Sequence, residues 1–242
     1  MRRLFLDGLL SDTFTITGDD AKHLLYSMRV KPKQIFTVVD KNKKVAQAEV
    51  LSCTSDTVQM KFLHYIDAAD TEPPIDVVLA QCLPKGDKME YIVQKAVELG
   101  IKSIVPVVSQ HCVVKYDAKK KLQRQQKWQK IADEAAKQCG RTAKPTVEAV
   151  TDFKQLTEKY GDYSCIICYE AEDDLSVKEA LQKINSDKYL ILIGPEGGLS
   201  SEEVAFCKKN NFISISLGKR ILRTETASLA MLSILMYEKD AL

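Results

Sequence analysis

The sequence predicts an α/β protein with a parallel sheet, preceded by a small β-barrel or sandwich. Three observations carry that prediction: short β-type runs before residue 70, strand–helix alternation after Pro74, and two glycine-containing loops that each follow an apolar run. With 242 residues, 45% apolar and 28% charged, the composition fits a folded globular chain and excludes a disordered or collagen-like one.

The amino-terminal runs are Thr13–Thr17, Gln34–Val39, Val45–Val50 and Thr57–Phe62, with a turn at Asp40-Lys-Asn-Lys and one helix around Asp19 to Met28. Asp70-Thr-Glu-Pro-Pro74 then forms a stiff polar connection, since neither proline can continue a helix or donate to a β ladder. This places a domain boundary there, dividing the chain into 1–70 and 74–242.

Beyond Pro74, Ile75–Leu83 reads as a strand. Met89, Ile92, Val93, Ala96 and Val97 recur at helical spacing up to Gly100, and Ile101–Val108 reads as the next strand. A basic helix follows, then a helix near Thr151–Tyr160, a strand Cys165–Tyr169 and a helix around Ser176–Ile184. Two strand–loop–helix passages complete the chain. The final helix, from about Glu225 to Met236, is apolar nearly all round, which predicts burial.

Net charge is only +2, yet Lys115–Lys144 holds ten Lys/Arg against three Asp/Glu. In that stretch Leu122, Trp128, Ile131, Ala132, Ala135, Ala136 and Cys139 form an apolar stripe, leaving the basic residues mainly on other faces. A local, one-signed excess fits a polyanion-binding surface as well as a solvated one. Trp128 belongs to the stripe and reads as core.

Seven scattered cysteines argue against a disulfide framework. Cys165 and Cys168 form a C-x-x-C inside an apparent buried strand, with no second Cys/His pair at zinc spacing, so no metal is expected. No run approaches a spanning helix, and Asp7 and Asp12 interrupt the amino-terminal apolar residues, which predicts a cytoplasmic protein without membrane contact.

The chemistry concentrates in two loops. Gly194-Pro-Glu-Gly-Gly198 follows Tyr189–Ile193 and precedes a capping box made by Ser200 and Glu203. Ligands of open α/β sheets bind at such carboxyl ends, and glycine permits close backbone approach. Neither phosphate fingerprint fits, and Glu196 would repel a triphosphate, so a nucleoside-like ligand without phosphates, neutral or cationic, suits the loop better. Gly218-Lys-Arg-Ile-Leu-Arg-Thr224 follows Phe212–Leu217. Its Ile221-Leu222 pair suits an adenine pocket, and Arg223, just before a helix, suits a developing negative charge.

Four segments together resemble the ribosomal RNA small-subunit methyltransferase E family of the trefoil-knotted (SPOUT) methyltransferases. They are Ile193–Leu199, Leu217–Ala227, Gln94–Gly100 and Ala135–Arg141, with support from Arg2–Phe5 and His23–Val30. The resemblance spans almost the whole chain. It implies a PUA-like amino-terminal β domain, a knotted carboxyl-terminal α/β domain, a homodimer, S-adenosylmethionine as donor, and N3-methyluridine in 16S rRNA, free or in the assembled small subunit, as product.

By that resemblance three segments cradle the donor: Tyr169 and Glu170; Ile193, Gly194, Pro195, Glu196, Gly197, Gly198 and Leu199; and Leu217, Gly218, Ile221 and Leu222. Catalytic candidates are Arg223 as charge stabiliser and Glu196 or Glu225 as proton acceptor, although Glu225 also suits a helix start and Glu196 also suits donor binding. Candidate RNA contacts are Arg2, Arg3, Arg29, Arg124, Lys127, Lys137 and Arg141. Two other readings stay open: a ribose 2′-O-methyltransferase, and an RNA-binding assembly factor without catalysis.

Overall fold

The computed structural model describes residues 3–67, 71–172 and 175–242. The chain forms two compact units, Met1–Glu72 with Ala136–Lys144, and Pro73–Ala135 with Pro145–Leu242.

In the first unit a five-stranded sheet is built from β1 (Arg3–Phe5), β2 (Thr13–Ile16), β3 (Ile35–Val39), β4 (Val45–Cys53) and β5 (Val58–Tyr65). Its order is β1-β3-β4-β5-β2, antiparallel except for β1 beside β3. Burial alternates along β5, with Val58 and Met60 inside and Gln59 and Lys61 outside, so one face is core and the other wet. The β4–β5 register shifts twice, with Leu63 extra on β5 opposite Gln47/Ala48 and Leu51 extra on β4 between Val50 and Ser52, and such irregularities bend the sheet into an open half-barrel. The Asp40 turn is present, its carboxylate accepting from the N–H groups of Asn42 and Lys44 at 2.8 and 3.0 Å. The helix anticipated over 19–28 is instead α1 (Gly18–Lys22) running into a π-helical turn, His23–Ser27, after which Arg29 takes a left-handed φ of 51°.

In the second unit six parallel strands, β6 (Asp76–Cys82), β7 (Ser103–Val107), β8 (Thr146–Val147), β9 (Ser164–Cys168), β10 (Lys188–Ile193) and β11 (Ile213–Ile215), lie in the order β11-β9-β10-β6-β7-β8. β6 and β10 are almost continuously buried, as strands covered on both faces must be. The helices are α2 (Lys88–Glu98), α3 (Ala118–Cys139), α4 (Phe153–Lys159), α5 (Val177–Lys183), α6 (Ser201–Lys209) and α7 (Thr224–Glu238). α2 buries Met89, Ile92, Val93, Ala96 and Val97, the five positions its periodicity marked. β10 lies between β9 and β6, both of which precede it in the chain, and α7 packs on α2 and β10.

Two expectations need correction. Trp128 is core, but Leu122 is 59% exposed and leaves the apolar stripe of α3, since it lies in the first turns, where the helix is exposed on both sides. α7 buries Met231, Leu232, Leu235 and Met236, yet Ile234 and Tyr237 are exposed, so one face is left uncovered among the described residues.

Candidate functional site

Because all strands of the second sheet are parallel, the segments after β9, β10 and β11 emerge at one edge, and these strands are immediate neighbours. Backbone hydrogen bonds stitch them together: Tyr169 N–H donates to Ile215 O at 3.1 Å and Ser216 N–H to Leu175 O at 2.9 Å. Tyr169, Glu170, Gly194–Leu199 and Leu217–Leu222 are thereby brought to one end of the sheet.

Two glycines have distinct reasons to be there. Gly198 has φ +68°, and a Cβ on it would stand 2.1 Å from Glu170 Oε1, so the β9 and β10 loops meet at that point. Gly218 has φ +110°, a conformation costly to other residues, and a Cβ there would meet nothing within 4 Å. Its backbone is open to a ligand, beside half-buried Leu217 and Leu222, while Ile221 is 86% exposed.

The glycine loop is fixed from several sides. Thr224 Oγ1 donates to the Gly194 carbonyl at 2.7 Å, and Gln81 Nε2 donates to Thr224 Oγ1 at 2.9 Å. Ser228 Oγ lies 2.5 Å from Gln81 Oε1 and 2.8 Å from Thr224 O, and Gln81, Thr224 and Ser228 are all buried. On the other flank His111 Nδ1 lies 3.0 Å from Gly197 O, and Gln110 N–H donates to Glu203 Oε1 at 2.8 Å. The Ser200–Glu203 capping box is formed.

The two candidate carboxylates converge on one cation. Lys88 Nζ lies 2.9 Å from Glu196 Oε1 and 3.3 Å from Glu225 Oε2, the latter a charge contact without an aligned hydrogen bond. Burial works against the charge of Glu196, yet Lys88 and the Lys85 N–H hold its carboxyl below the ordinary range. The same hydrogen bond to Glu196 raises the Lys88 ammonium above its usual value. Arg223 occupies the cap position of α7, is exposed, and its guanidinium makes no hydrogen bond or ion pair among the described residues.

The structure separates the candidate RNA contacts. Arg29 is exposed; Lys127 is half in solvent and pairs with Glu90; Arg124 is half-buried, 3.5 Å from Glu90 and over the Tyr116 ring. Arg3 is half-buried near Gly140, and burial lowers its pKa. Lys137 and Arg141 are buried, paired with Asp20 and Glu72, so their charges are turned inward. Arg2 lies outside the described residues. The Cys165 and Cys168 thiols are each pushed up to about 12 by burial, which keeps them protonated and poor nucleophiles. Among the described residues no group of three or more His, Cys, Asp or Glu side chains is placed to hold a metal.

The sequence reading missed Lys88, Gln81, Thr224 and His111. Gln81 did carry a signal, as a polar residue inside an otherwise apolar strand run. Lys88 carried one too, as a cation where a helix begins.

Residues 71–236 match the RNA methyltransferase domain family and residues 16–63 the RNA methyltransferase PUA domain family. The chain is 36% identical to the ribosomal RNA small subunit methyltransferase E of Bacillus subtilis over 236 residues, covering 95% of this chain and 92% of that one. A crystal structure of ribosomal RNA small subunit methyltransferase E from Neisseria gonorrhoeae bound to S-adenosyl methionine superposes with a TM-score of 0.87. It is 30% identical and covers 98% of this chain and 97% of its own. A putative methyltransferase from Legionella pneumophila in complex with the same cofactor gives a TM-score of 0.88 at 26% identity, over 97% of this chain and 96% of that one.

Proposed function

Since this chain belongs to the ribosomal RNA small subunit methyltransferase E family, we propose that it methylates N3 of a uridine in 16S ribosomal RNA with S-adenosylmethionine as donor. The observation that carries the reading is the convergence of three loops at the carboxyl ends of the adjacent strands β9, β10 and β11, with an open Gly218 backbone and, beside them, an Arg223 that has no partner among the described residues.

The residues fit that donor. Gly218 leaves room against its backbone, and Leu217 and Leu222 offer apolar surface suited to adenine. Glu170, which meets the glycine loop at Gly198, supplies a negative field that a sulfonium favours and a triphosphate does not. When bound, S-adenosylmethionine supplies an activated methyl group on sulfur. The chain contributes alignment, worth about 7–11 kcal/mol in well-oriented reactions. Arg223 contributes a fixed cation for the charge that spreads onto the uracil carbonyl oxygens as the N3 proton leaves.

RNA recognition is assigned to residues 1–70 as a PUA-like domain and methyl transfer to 74–242, a division supported by the two family matches. Arg29 on the first unit and the exposed lysines of α3, Lys119, Lys120 and Lys127, are among the cations exposed to phosphates. The strand order, with β10 between β9 and β6, both of which precede it in the chain, supports a trefoil-knotted carboxyl terminus.

A homodimer accounts for the uncovered face of α7. A 760 Å³ groove between α2 and α7 is lined by Tyr91, Leu229, Ala230 and Ser233, with Asp87, Lys88, Glu225 and Thr226 at its charged and polar end, and exposed Ile234 and Tyr237 extend the same helix. Among the described residues no helix is long and apolar enough to cross a membrane; with ribosomal RNA as the proposed substrate, the cytoplasm is the proposed site of action.

The test is methylation of small-subunit RNA followed by nucleoside mass analysis. N3-methyluridine is expected; a 2′-O-methyl nucleoside, or RNA binding without transfer, overturns the reading. In parallel, calorimetry should find S-adenosylmethionine binding largely lost in Gly218→Val.

A further inference from the structure

Lys88 stands where a helix least favours a cation. It is the first residue of α2, where unpaired N–H groups and the helix dipole already concentrate positive charge. The preceding Asp87 makes no side-chain cap hydrogen bond to offset this. The ammonium is held from outside its helix, by Glu196 in the loop after β10 at 2.9 Å and by Glu225 in the first turn of α7 at 3.3 Å. Glu196 is further anchored to the backbone N–H of Lys85, which reaches its two oxygens at 3.1 and 3.3 Å. Three chain segments therefore meet on one cation, and two carboxylates that would repel each other are drawn together by it.

We infer that Lys88 is a positioning residue for methyl transfer: shared between Glu196 and Glu225, it clamps the Gly194–Leu199 loop to the start of α7, which carries Arg223. This rests on the reading of those loops as the donor site. One corollary concerns the proton. Both carboxylates are committed to Lys88 and serve as anchors, not as acceptors for the uridine N3 proton. The lowered pKa of Glu196 agrees, because a carboxylate stabilised in its charged form is a weaker base. The clamp also complements the buried Gln81–Thr224–Gly194 hydrogen bonds, so the same two segments are joined inside by neutral groups and outside by charge.

Hydrogen–deuterium exchange on the full chain without ligand tests the clamp directly. Lys88→Ala should speed exchange by up to about fivefold at residues 194–199 and 224–228, the range expected of a partly exposed ion pair, and leave β3–β5 unchanged. Lys88→Arg should restore protection. Titration with S-adenosylmethionine should give a similar rise in Kd for Lys88→Ala and for Glu196→Gln, with the double variant no weaker than either single one. At saturating donor the pH profile of the single-turnover rate should be unshifted in Glu196→Gln and in Glu225→Gln. Unchanged exchange in Lys88→Ala, additive losses, or a displaced pH profile in Glu196→Gln or Glu225→Gln would each overturn the inference. Failure of the wild-type protein to bind the donor would count against the proposed function instead, and the exchange comparison would still decide the clamp.

Discussion

Thr224 donates its hydroxyl to the Gly194 carbonyl across 2.7 Å, joining the first residue of α7 to the first residue of the glycine loop. Gln81, wholly buried in β6, donates to the same hydroxyl. Thr224→Val keeps the side-chain shape but leaves the Gly194 carbonyl unpaired and costs the Gln81 amide one of its two acceptors. Leaving such a buried group unsatisfied costs about 1–3 kcal/mol. Denaturant melts should therefore place Thr224→Val below wild type by that amount and Thr224→Ser close to wild type. Equal stability of all three proteins would mean that the relay contributes nothing.

Arg223 is expected to act on the transition state. It is exposed, unpaired among the described residues, and fixed at the cap of a helix whose next residues are buried. Arg223→Ala should lower kcat by roughly 100- to 1,000-fold, the range for removing one preorganised charge stabiliser, with donor Kd nearly unchanged. A rate within about threefold of wild type, or a loss explained wholly by weaker donor binding, would remove Arg223 from the chemistry.

How much of this was legible depended on whether the information was local. β6, α2 and β10 followed from runs and periodicity, because a fully buried strand and an amphipathic helix each leave a period in the chain. The helix expected around 19–28 is present over 18–27, but its second half is π-helical, a difference in hydrogen bonding that so short a stretch of sequence does not announce. At the site, the glycine loops and Arg223 were visible as motifs, whereas Lys88 and Gln81 were not, since their partners lie 108, 137 and 143 or more positions away. Charge counting over 115–144 also overstated the basic face: Lys137 and Arg141 add to the sum but are spent on Asp20 and Glu72.

That burial separates two kinds of basic residue in one experiment. If Lys119, Lys120 and Lys127 neutralise phosphates, replacing all three by Ala should weaken RNA binding and reduce the log–log salt slope by about 0.7–0.9 for each phosphate left without its lysine. Lys137→Ala and Arg141→Ala should instead lower stability and leave the slope unchanged. A full salt slope in the triple variant would exclude these lysines from the RNA interface.

The last expectation concerns acid. Glu72 accepts from Arg141, from the Thr142 N–H at 2.8 Å and from the Ala143 N–H at 3.0 Å. Burial alone would raise its pKa, but these donors outweigh burial and hold the carboxyl below its ordinary value of 4.5. A carboxyl with a depressed pKa in the folded state stabilises the fold above its unfolded pKa, and that contribution is lost as pH falls through the folded value. Since Glu72 joins the 136–144 segment to the amino-terminal chain within the first unit, its protonation should loosen that segment first. Hydrogen exchange at residues 137–144 should therefore accelerate as pH is lowered below the ordinary carboxylate range, after correction for the intrinsic rate. In Glu72→Gln the segment should exchange faster already at neutral pH, with little further change on acidification. A wild-type segment whose corrected protection is flat from neutral pH to about pH 3, a span that crosses the usual carboxylate pKa, would show that the Glu72 hydrogen bonds do not hold it.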